Sequence, residues 1–562
     1  MTLNYRIGIY VSLENTAKST AELAVDTMIA HGIDVLYGVP GIHNDALFDA
    51  LHAARDRVRT VHARHEQTTG YMALGAALAT GRPQVFAAVP GPGILNASAA
   101  LLTAYGMNAP VLALAGQIPS NAIERGHGHL HEIRDQLGLL RHLTKDAQRI
   151  AGPADTGAKL ASALQLARSG RAGPVALECA IDVWPARGPG TSTLPLPVLQ
   201  PAVDSDAVEQ AARLLGKAKR PLIMVGGGAQ GAGEALARVA EMLQAPVGCY
   251  RRGHGALPGA HPLAINLPTA HRLWRDADVV LAVGTRLYTQ QSVWGVDDDL
   301  KIVRIDIEPE EPGRFRDPDC AIVADAGAAL AALAEALPRH TDARETRDLS
   351  AERGWMRSEL VRLEPQMAFL AAIRRAFPPE GILVDEVTQM GFAARLAWQA
   401  VLPRTFLSGG QQDNLGFGFG TALGAKVAVG DRPVIAIAGD GGFGYQAFEL
   451  ATAAKHNIAL VTIVFDDGAF GNVRRIQDQV YGGRRIADSL HNPDFVAYAK
   501  SFGVRAVRAE TPATLEQSLT EALRANEPAL IHVPVGEMPS PWQLIMLPRI
   551  RGTAQPHERA WP

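Results

Sequence analysis

A segment near the C-terminus, residues 433–475, reads PVIAIAGDGGFGYQAFELATAAKHNIALVTIVFDDGAFGNVRR. It divides into an apolar strand, a glycine-rich turn, a helix, a second apolar strand and a second glycine-containing turn. Asp440 follows the first strand, and Asp466 and Asp467 end the second. Because a crossover between parallel strands is right-handed, the two strand ends should lie side by side, at the edge where open α/β sheets bind ligands.

The residues at these two strand ends predict a magnesium and phosphate site. Carboxylates converging beside a glycine-rich turn suit Mg2+, which binds carboxylate oxygens together with substrate phosphates. Gly441, Gly442 and Gly444 would let backbone N–H groups and the following helix N-terminus face a diphosphate. Alternatively, Asp440 and Asp467 are a turn residue and a cap, as in many ordinary turns. The pairing of two such strand ends at this spacing favours the site.

The same alternation of strands and helices runs along the whole chain, and a chain of 562 residues is long enough for several domains. Strands are predicted at 34–37, 58–63, 85–89, 111–115, 221–225, 279–283, 302–305, 381–385, 433–438, 459–465 and 529–534. Helices are predicted at 67–80, 95–105 and 233–243. A proline-rich stretch at 186–201 and a charged stretch at 340–353 are typical of linkers. The fold class predicted is therefore α/β, with three doubly wound parallel-sheet domains at 17–187, 203–340 and 358–540 and a C-terminal tail at 541–562.

The amino-acid composition argues against several classes of function. Lysine plus arginine number 54 and aspartate plus glutamate 57, so the net charge is 54 − 57 = −3, and no long basic run is present. This balance predicts binding to neither nucleic acid nor an anionic membrane. Glycines, asparagines and prolines break the longest uncharged stretch, so we expect no membrane helix. Three cysteines are too few for a disulfide framework, which favours a cytoplasmic protein.

With these motifs in place, the sequence resembles thiamine-diphosphate (ThDP) enzymes of the acetolactate synthase and 2-oxoacid decarboxylase superfamily. The family motif is Gly-Asp-Gly, about two dozen residues and then Asn-Asn, and here Gly439-Asp440-Gly441 precedes Asp466-Asp467. The resemblance implies that Asp440, Asp467 and the backbone carbonyl of Ala469 hold Mg2+. It also places Gly439, Gly441 and Gly442 at the cofactor. A carboxylate in place of the second amide keeps the oxygen donor and adds one negative charge.

Two further segments match the family. Glu66, in Arg64-His65-Glu66-Gln67, lies where relatives have the glutamate that protonates the aminopyrimidine ring and so promotes loss of the C2 proton of the thiazolium. Without the resemblance it would be a first-turn glutamate favoured by the helix dipole. Leu415 lies where a bulky aliphatic residue forces the cofactor into a V shape, often methionine in relatives. The Leu415 N–H and the Asp413 carbonyl would hold the pyrimidine edge.

The resemblance also implies shared active sites. Gly91 and Gln117 match positions that line the cofactor pocket, while Pro90 stands where some decarboxylases have histidines. In this superfamily the glutamate and the metal site of one active centre come from two chains. A homodimer or homotetramer with active sites at the subunit interface is therefore expected, with pyrimidine-binding, central Rossmann-like and diphosphate-binding domains.

The predicted reaction is decarboxylation of a small-molecule 2-oxoacid, pyruvate-like, followed by transfer of the acyl carbanion to a second carbonyl compound. Simple decarboxylation without ligation is the first alternative, and the sequence does not identify the 2-oxoacid. A catalytically inactive partner subunit is another alternative, against which the intact Glu66 argues. A flavin or nicotinamide oxidoreductase built on the loop that starts at Gly226 is the alternative from a different class. Gly284, Arg286 and Asp306 resemble flavin-contacting positions, so FAD stays open as a cofactor without being favoured.

Three weaker signals surround the predicted site. His127, His129 and His131 alternate in a glycine-containing loop and would share one face if extended, which permits a metal, while the resemblance makes His131 a candidate substrate-side residue. Asn472 and Val473 fall where relatives place substrate-facing residues. The segment Pro539-Ser540-Pro541-Trp542, where the C-terminal tail begins, is predicted either to cover the active site or to be disordered with the tail.

Overall fold

The computed structural model describes residues 17–553, which form three six-stranded sheets in which all the paired strands run parallel. Helices connect the strands, as crossovers between parallel strands require. The predicted fold class, three α/β domains, is confirmed.

The first sheet is in the N-terminal domain and has the strand order β2-β1-β3-β4-β6-β5. Its strands are β1 (Val35–Gly38), β2 (Arg59–Val61), β3 (Gln84–Ala88), β4 (Val111–Gln117), β5 (Ala147–Ile150) and β6 (Val175–Ala180). Its helices are α1 (Thr20–Ala30), α2 (Asp45–Ala53), α3 (Glu66–Thr80), α4 (Pro92–Gly106), α5 (Gln136–Leu143) and α6 (Pro153–Arg168).

The central domain has the order β12-β11-β10-β7-β8-β9, which is the doubly wound order in which the first strand lies beside the fourth. Its strands are β7 (Pro221–Val225), β8 (Val247–Cys249), β9 (Ala264–Ile265), β10 (Val279–Val283), β11 (Lys301–Asp306) and β12 (Cys320–Val323). Its helices are α7 (Ser205–Lys217), α8 (Gly233–Leu243), α9 (Leu267–Trp274) and α10 (Ala326–Ala336).

The C-terminal domain has the order β14-β13-β15-β16-β18-β17 and so repeats the topology of the first. Its strands are β13 (Ile382–Val384), β14 (Phe406–Leu407), β15 (Val434–Gly439), β16 (Val461–Asp466), β17 (Arg505–Arg508) and β18 (Ala529–Pro534). Its helices are α11 (Ser350–Leu360), α12 (Gln366–Ala376), α13 (Gln389–Ala397), α14 (Gly418–Val429), α15 (Asp440–Gly444), α16 (Leu450–Lys455), α17 (Gly471–Gln479), α18 (Phe495–Ser501) and α19 (Pro512–Ala525).

Helices α3 and α14 join the first and third domains through backbone contact. A Cβ atom added to Gly75 would lie 1.9 Å from the carbonyl oxygen of Thr421, and one added to Gly424 would lie 1.9 Å from that of Met72. Only glycine permits this approach. Buried side chains of both helices, including Met72 and Leu423, then share one hydrophobic core.

Disorder was one of the two predictions for the C-terminal tail, but the part of the tail that the structure describes is folded. Residues 541–544 form a single helical turn, and Ile545 and Leu547 are buried. Arg551 forms an ion pair of 2.7 Å with Asp297 of the central domain. The part of the tail that the structure describes is therefore packed onto two domains, and residues 554–562 lie outside the described range.

Candidate active site

A cavity of about 200 Å³ lies at the carboxyl ends of β15 and β16, where the sequence places the magnesium site. Of the predicted site residues, the following line it: Leu415, Gly439, Asp440, Gly441, Gly442, Asp467, Ala469, Asn472 and Val473. Side chains from four segments distant in sequence meet there. The C-terminal half of the predicted site is therefore assembled within one chain.

Two acidic side chains share this cavity. Asp440, 3% exposed, begins α15, and Asp467 follows β16. Burial, and then the nearby charge of Asp440, raise the pKa of Asp467 to about 7, and burial also raises the pKa of Asp440. A buried and a half-buried carboxylate that repel one another provide an environment that a divalent cation would stabilise.

Asn492 and His532 support these carboxylates, and the sequence pattern identified neither. Asn492 Nδ2 donates to Asp440 Oδ2 at 2.6 Å and to Asp466 Oδ1 at 2.9 Å. His532 Nε2 lies 3.0 Å from Asp466 Oδ2, and this hydrogen bond lowers the pKa of Asp466. Asp466 is therefore already partnered, while Asp467 lines the cavity. The predicted role of Asp467 as a metal ligand stays a prediction.

The oxygen atoms available as ligands in this cavity fit Mg2+ better than they fit a metal that is coordinated by protein side chains alone. Within residues 17–553, no group of three or more His, Cys, Asp or Glu side chains could hold a metal ion. Magnesium needs only one or two carboxylates when phosphate oxygens and water complete its coordination. Asp440, Asp467 and the backbone carbonyl of Ala469 are thus sufficient protein ligands for a metal bound together with a diphosphate.

A buried glutamate supports the glycine turn from behind. A Cβ atom added to Gly442 would lie 2.7 Å from Cγ of Glu386, so the turn packs directly on that side chain. Glu386 accepts a hydrogen bond from the Gly418 N–H at 2.8 Å, and burial raises its pKa to about 7. Glu386 follows the short strand β13, and nothing in the sequence pattern marked it.

The segment predicted to shape the cofactor is held by ion pairs. Leu415 is half-buried and lines the cavity. The Asp413 carboxylate accepts two hydrogen bonds of 2.8 Å from the fully buried Arg395 and one of 2.9 Å from Arg251. The backbone at Asp413 has a positive φ of 40°. The side chain of Asp413 thus fixes the loop, which leaves its backbone carbonyl for the predicted cofactor contact.

Glu66 begins α3 in the N-terminal domain and is not among the residues lining the cavity at Asp440. Asn96 Nδ2, on α4, donates to Glu66 Oε2 at 3.0 Å. A Cβ atom added to Gly93 would lie 3.7 Å from Glu66 Oε1, so α4 passes close to the carboxylate. The N-terminal half of the site is therefore organised around the start of α3 and α4.

Glu449, which sequence reasoning missed, anchors the backbone just before Glu66. Its fully buried carboxylate accepts hydrogen bonds from the N–H groups of Arg64 at 3.1 Å and His65 at 3.0 Å, and also from the Thr452 hydroxyl. Glu449 lies in the C-terminal domain, nine positions after Asp440. One chain thereby couples the position of its own Glu66 to the segment that carries its own Asp440.

Gly91 and Gln117 lie in the N-terminal domain and do not line the cavity at Asp440. Gly91 has a positive φ of 58°, and a Cβ atom there would lie 2.5 Å from the His131 carbonyl oxygen. Gln117 is buried, and its amide donates to Glu178 at 3.1 Å. Their predicted contact with the cofactor stays a prediction.

The histidine loop forms no cluster. His127 and His129 are exposed, and residues 126–131 form no strand, so the shared face that a metal would need is not present. His131 turns inward and stacks on His43 with 5.1 Å between ring centroids. Because His43 Nε2 hydrogen-bonds the Leu130 carbonyl at 3.1 Å, the loop is fixed against the end of β1.

The Gly226 loop lines a different cavity, of about 380 Å³, between the central domain and its neighbours. Gly284, Arg286 and Asp306 line it too, so the predicted dinucleotide-like region is concave. Burial raises the pKa of Asp306. No residue lines both this cavity and the cavity at Asp440.

Comparison with known proteins identifies the family. Residues 18–139 match the N-terminal TPP binding domain of thiamine pyrophosphate enzymes, residues 208–333 their central domain, and residues 386–533 their C-terminal TPP binding domain. These descriptions name thiamine pyrophosphate, the same compound as ThDP, and no flavin. The FAD alternative is therefore not supported.

Curated relatives align over nearly full length. A probable acetolactate synthase large subunit of Methanocaldococcus jannaschii is 32% identical, covering 91% of each chain. The acetolactate synthase isozyme 3 large subunit of Escherichia coli is 30% identical, covering 90% of this chain and 92% of the relative. A probable 2-ketoarginine decarboxylase of Pseudomonas aeruginosa is also 30% identical, covering 92% and 94%. The chain belongs to the thiamine pyrophosphate enzymes, in their acetolactate-synthase-like branch.

Among the described residues, no helix is both long enough and apolar enough to cross a membrane.

Proposed function

We propose that the chain is a ThDP- and Mg2+-dependent enzyme that decarboxylates a 2-oxoacid and passes the acyl carbanion to a second carbonyl compound. The observation that carries the proposal is the pair of carboxylates, the buried Asp440 and the half-buried Asp467, beside a glycine turn in one cavity with Leu415. Thiamine diphosphate, when bound, supplies an electron sink for the carbon–carbon bond that breaks. We place the enzyme in the cytoplasm, acting on small molecules.

Different residues of the chain bind the metal and the cofactor, hold the proton and line the cavity. Asp440, Asp467 and the Ala469 carbonyl hold the metal, while Gly441 and Gly442 leave room for the diphosphate. Glu66 holds a proton at the aminopyrimidine nitrogen, and the 3.0 Å hydrogen bond from Asn96 orients its carboxylate. The apolar side chains of Leu415 and Val473 line the cavity and exclude water from it.

We further propose a homodimer, or a homotetramer, in which Glu66 of one chain faces the Asp440 cavity of another. In support, Glu66 does not line the cavity at Asp440 of its own chain. Both halves of the site also carry exposed apolar side chains. They are Ile42, Leu95, Leu102, Tyr105 and Leu130 in the N-terminal domain, and Tyr445, Val473, Val480, Tyr481 and Ile486 in the C-terminal domain. Such patches mark protein–protein contacts.

Mass analysis of the metal-loaded protein, combined with a turnover assay, tests the proposal. Purified protein should bind ThDP only with Mg2+, gain thermal stability from the pair, and release CO2 from members of a 2-oxoacid panel. The carbon products distinguish ligation from simple decarboxylation, since ligation yields 2-hydroxy-3-oxo acids or acyloins and decarboxylation alone yields aldehydes. Release of a flavin or nicotinamide on denaturation, without any response to ThDP, would contradict the proposal.

A further inference from the structure

A second cavity, of about 470 Å³, adjoins the predicted cofactor site. It shares Gln389, Asp467 and Gly471 with the cavity at Asp440, so the two are continuous. Helix α17 forms one wall, and Pro539 and Ser540, just before the tail, form another. A substrate bound beside the cofactor therefore has room to extend toward this second cavity.

Two of the charged groups that line this cavity, Arg474 and Asp478, are already paired, and the proposed magnesium site assigns a third, Asp467, to the metal. Arg474 donates to Asp488 at 2.7 Å, and Asp478 accepts two hydrogen bonds of 2.7 Å from Arg485. Glu537 is exposed. The ion pairs Arg474–Asp488 and Arg485–Asp478 are each neutral overall.

Arg475 is the other arginine that lines this cavity, and its side chain is held by neutral partners. Its Nε donates to the Asn472 amide oxygen at 3.1 Å and its Nη1 to the Gln479 amide oxygen at 2.9 Å. Its guanidinium lies over the Trp542 ring, 5.1 Å from the centroid. Among residues 17–553 no carboxylate forms an ion pair with it, and burial lowers its pKa. Arg475 is thus a guanidinium oriented by two neutral amides and one aromatic ring.

A guanidinium fixed in this way and short of an anion is suited to bind a carboxylate, because it presents its donors in a planar fork. The carboxylate that leaves as CO2 is an unsuitable ligand. An ion pair with it would stabilise the ground state more than the transition state, in which its charge is lost. The ligand should therefore be a carboxylate that survives the reaction.

We propose that Arg475 binds a carboxylate that the reaction retains, carried either by the acceptor 2-oxoacid or by the side chain of the donor. The inference rests on the proposed function, since both ligands are substrates of that reaction. In the ligation, the bond between C1 and C2 of the donor breaks with loss of CO2. The electron pair left on C2 forms a bond to the carbonyl carbon of the acceptor, whose oxygen takes one proton. The carboxylate of the acceptor is unchanged throughout.

Two assay arms distinguish the sources. In the first, one 2-oxoacid donor is paired with pyruvate or with the neutral propanal as acceptor, and ligation products are quantified by mass spectrometry. In the second, CO2 release is compared between 2-oxoglutarate and its neutral isostere 5-methyl-2-oxohexanoate. Arg475→Gln should lower kcat/KM for the carboxylate-bearing partner at least about tenfold relative to the neutral one in one arm. Arg475→Lys should restore part of the difference.

Arg484→Gln is the matched control. Arg484 is exposed on the same segment, and among residues 17–553 its side chain bonds only the Tyr481 carbonyl. The kcat/KM ratios of both assay arms should therefore stay at their wild-type values. Unchanged ratios in both arms for Arg475→Gln, with ThDP still bound, would overturn the role of Arg475 and leave the proposed function standing. Release of CO2 from no 2-oxoacid would overturn both.

Discussion

Glu66 is the residue on which the proposed chemistry depends most. Glu66→Gln keeps the shape of the side chain and a partner for Asn96, but it removes the proton that can be exchanged with the cofactor. We expect the variant to bind ThDP and Mg2+ as the wild type does, while C2 proton exchange of the bound cofactor, followed by NMR, slows by about 10²–10⁴-fold. Exchange at the wild-type rate would remove Glu66 from the mechanism.

Glu386 should make stability depend on pH. Its pKa is raised by burial from 4.5 to about 7 in the folded chain. Between these values the folded protein holds a proton that the unfolded chain has released, so this group's contribution to stability falls as the pH rises through that interval. The contribution lost by pH 8 is on the order of 3 kcal/mol.

Glu386→Gln removes this dependence while keeping an acceptor for the Gly418 N–H. We expect the melting temperature of the variant, relative to wild type at fixed protein concentration, to be clearly higher at pH 8 than at pH 5. Glu335→Gln, at an exposed position of α10, is the control and should show the same difference at both pH values. A difference that does not change with pH would mean that Glu386 is ionised throughout.

At the scale of single residues, the sequence predicted the site residues that belong to a motif. It missed the residues whose role depends on contacts made only in the folded chain. Asp440 and Asp467 could be placed at adjoining strand ends because parallel sheets obey a fixed crossover rule. Asn492, His532 and Glu449 are single polar residues outside any motif. Only the folded chain brings Asn492 to Asp440, His532 to Asp466 and Glu449 to the start of α3.

At the scale of secondary-structure elements, the contact between α3 and α14 fixes the position of the helix that begins with Glu66. Gly75→Ala would place a methyl group 1.9 Å from the Thr421 carbonyl oxygen, so the helices must move apart. We expect a loss of about 1–3 kcal/mol of stability, measured by urea denaturation, together with weaker cofactor binding.

Gly354→Ala in α11 is the matched control, because no atom lies within 4 Å of its added Cβ. That change should stabilise the helix by roughly 0.5–1 kcal/mol. Equal effects at the two positions would contradict the close packing.

Strands and helices with a clear period were predicted nearly residue by residue, as in β7 (Pro221–Val225), β10 (Val279–Val283) and α8 (Gly233–Leu243). Very short strands such as β9 and β14, of two residues each, were not. Two residues have no period, and their pairing is decided by the neighbouring strand. The close approach of α3 to α14 could likewise not be predicted from the sequence, because it depends on glycines in two segments that are far apart in sequence.

At the scale of the whole molecule, one chain carries two half-sites. The N-terminal half, around Glu66, and the C-terminal half, around Asp440, lie in domains of identical strand order. Glu449 connects them, since it lies near Asp440 in sequence and holds the backbone of Arg64 and His65. In the proposed dimer the two halves of one chain serve different active sites, so Glu449 would link the geometry of one site to that of the other.

A hybrid dimer tests this arrangement. Chains carrying Glu66→Gln and chains carrying Asp440→Ala, each inactive alone, are co-expressed with two different affinity tags, and dimers bearing both tags are purified. If Glu66 and Asp440 of each active site come from different chains, one site of the hybrid collects both substitutions and the other is intact. The hybrid should then show about half of the wild-type activity per dimer. If each site is built within one chain, both sites of the hybrid carry a defect and no activity is expected. Size-exclusion chromatography of both parent variants supplies the control, because each must still assemble for the result to discriminate between the two arrangements.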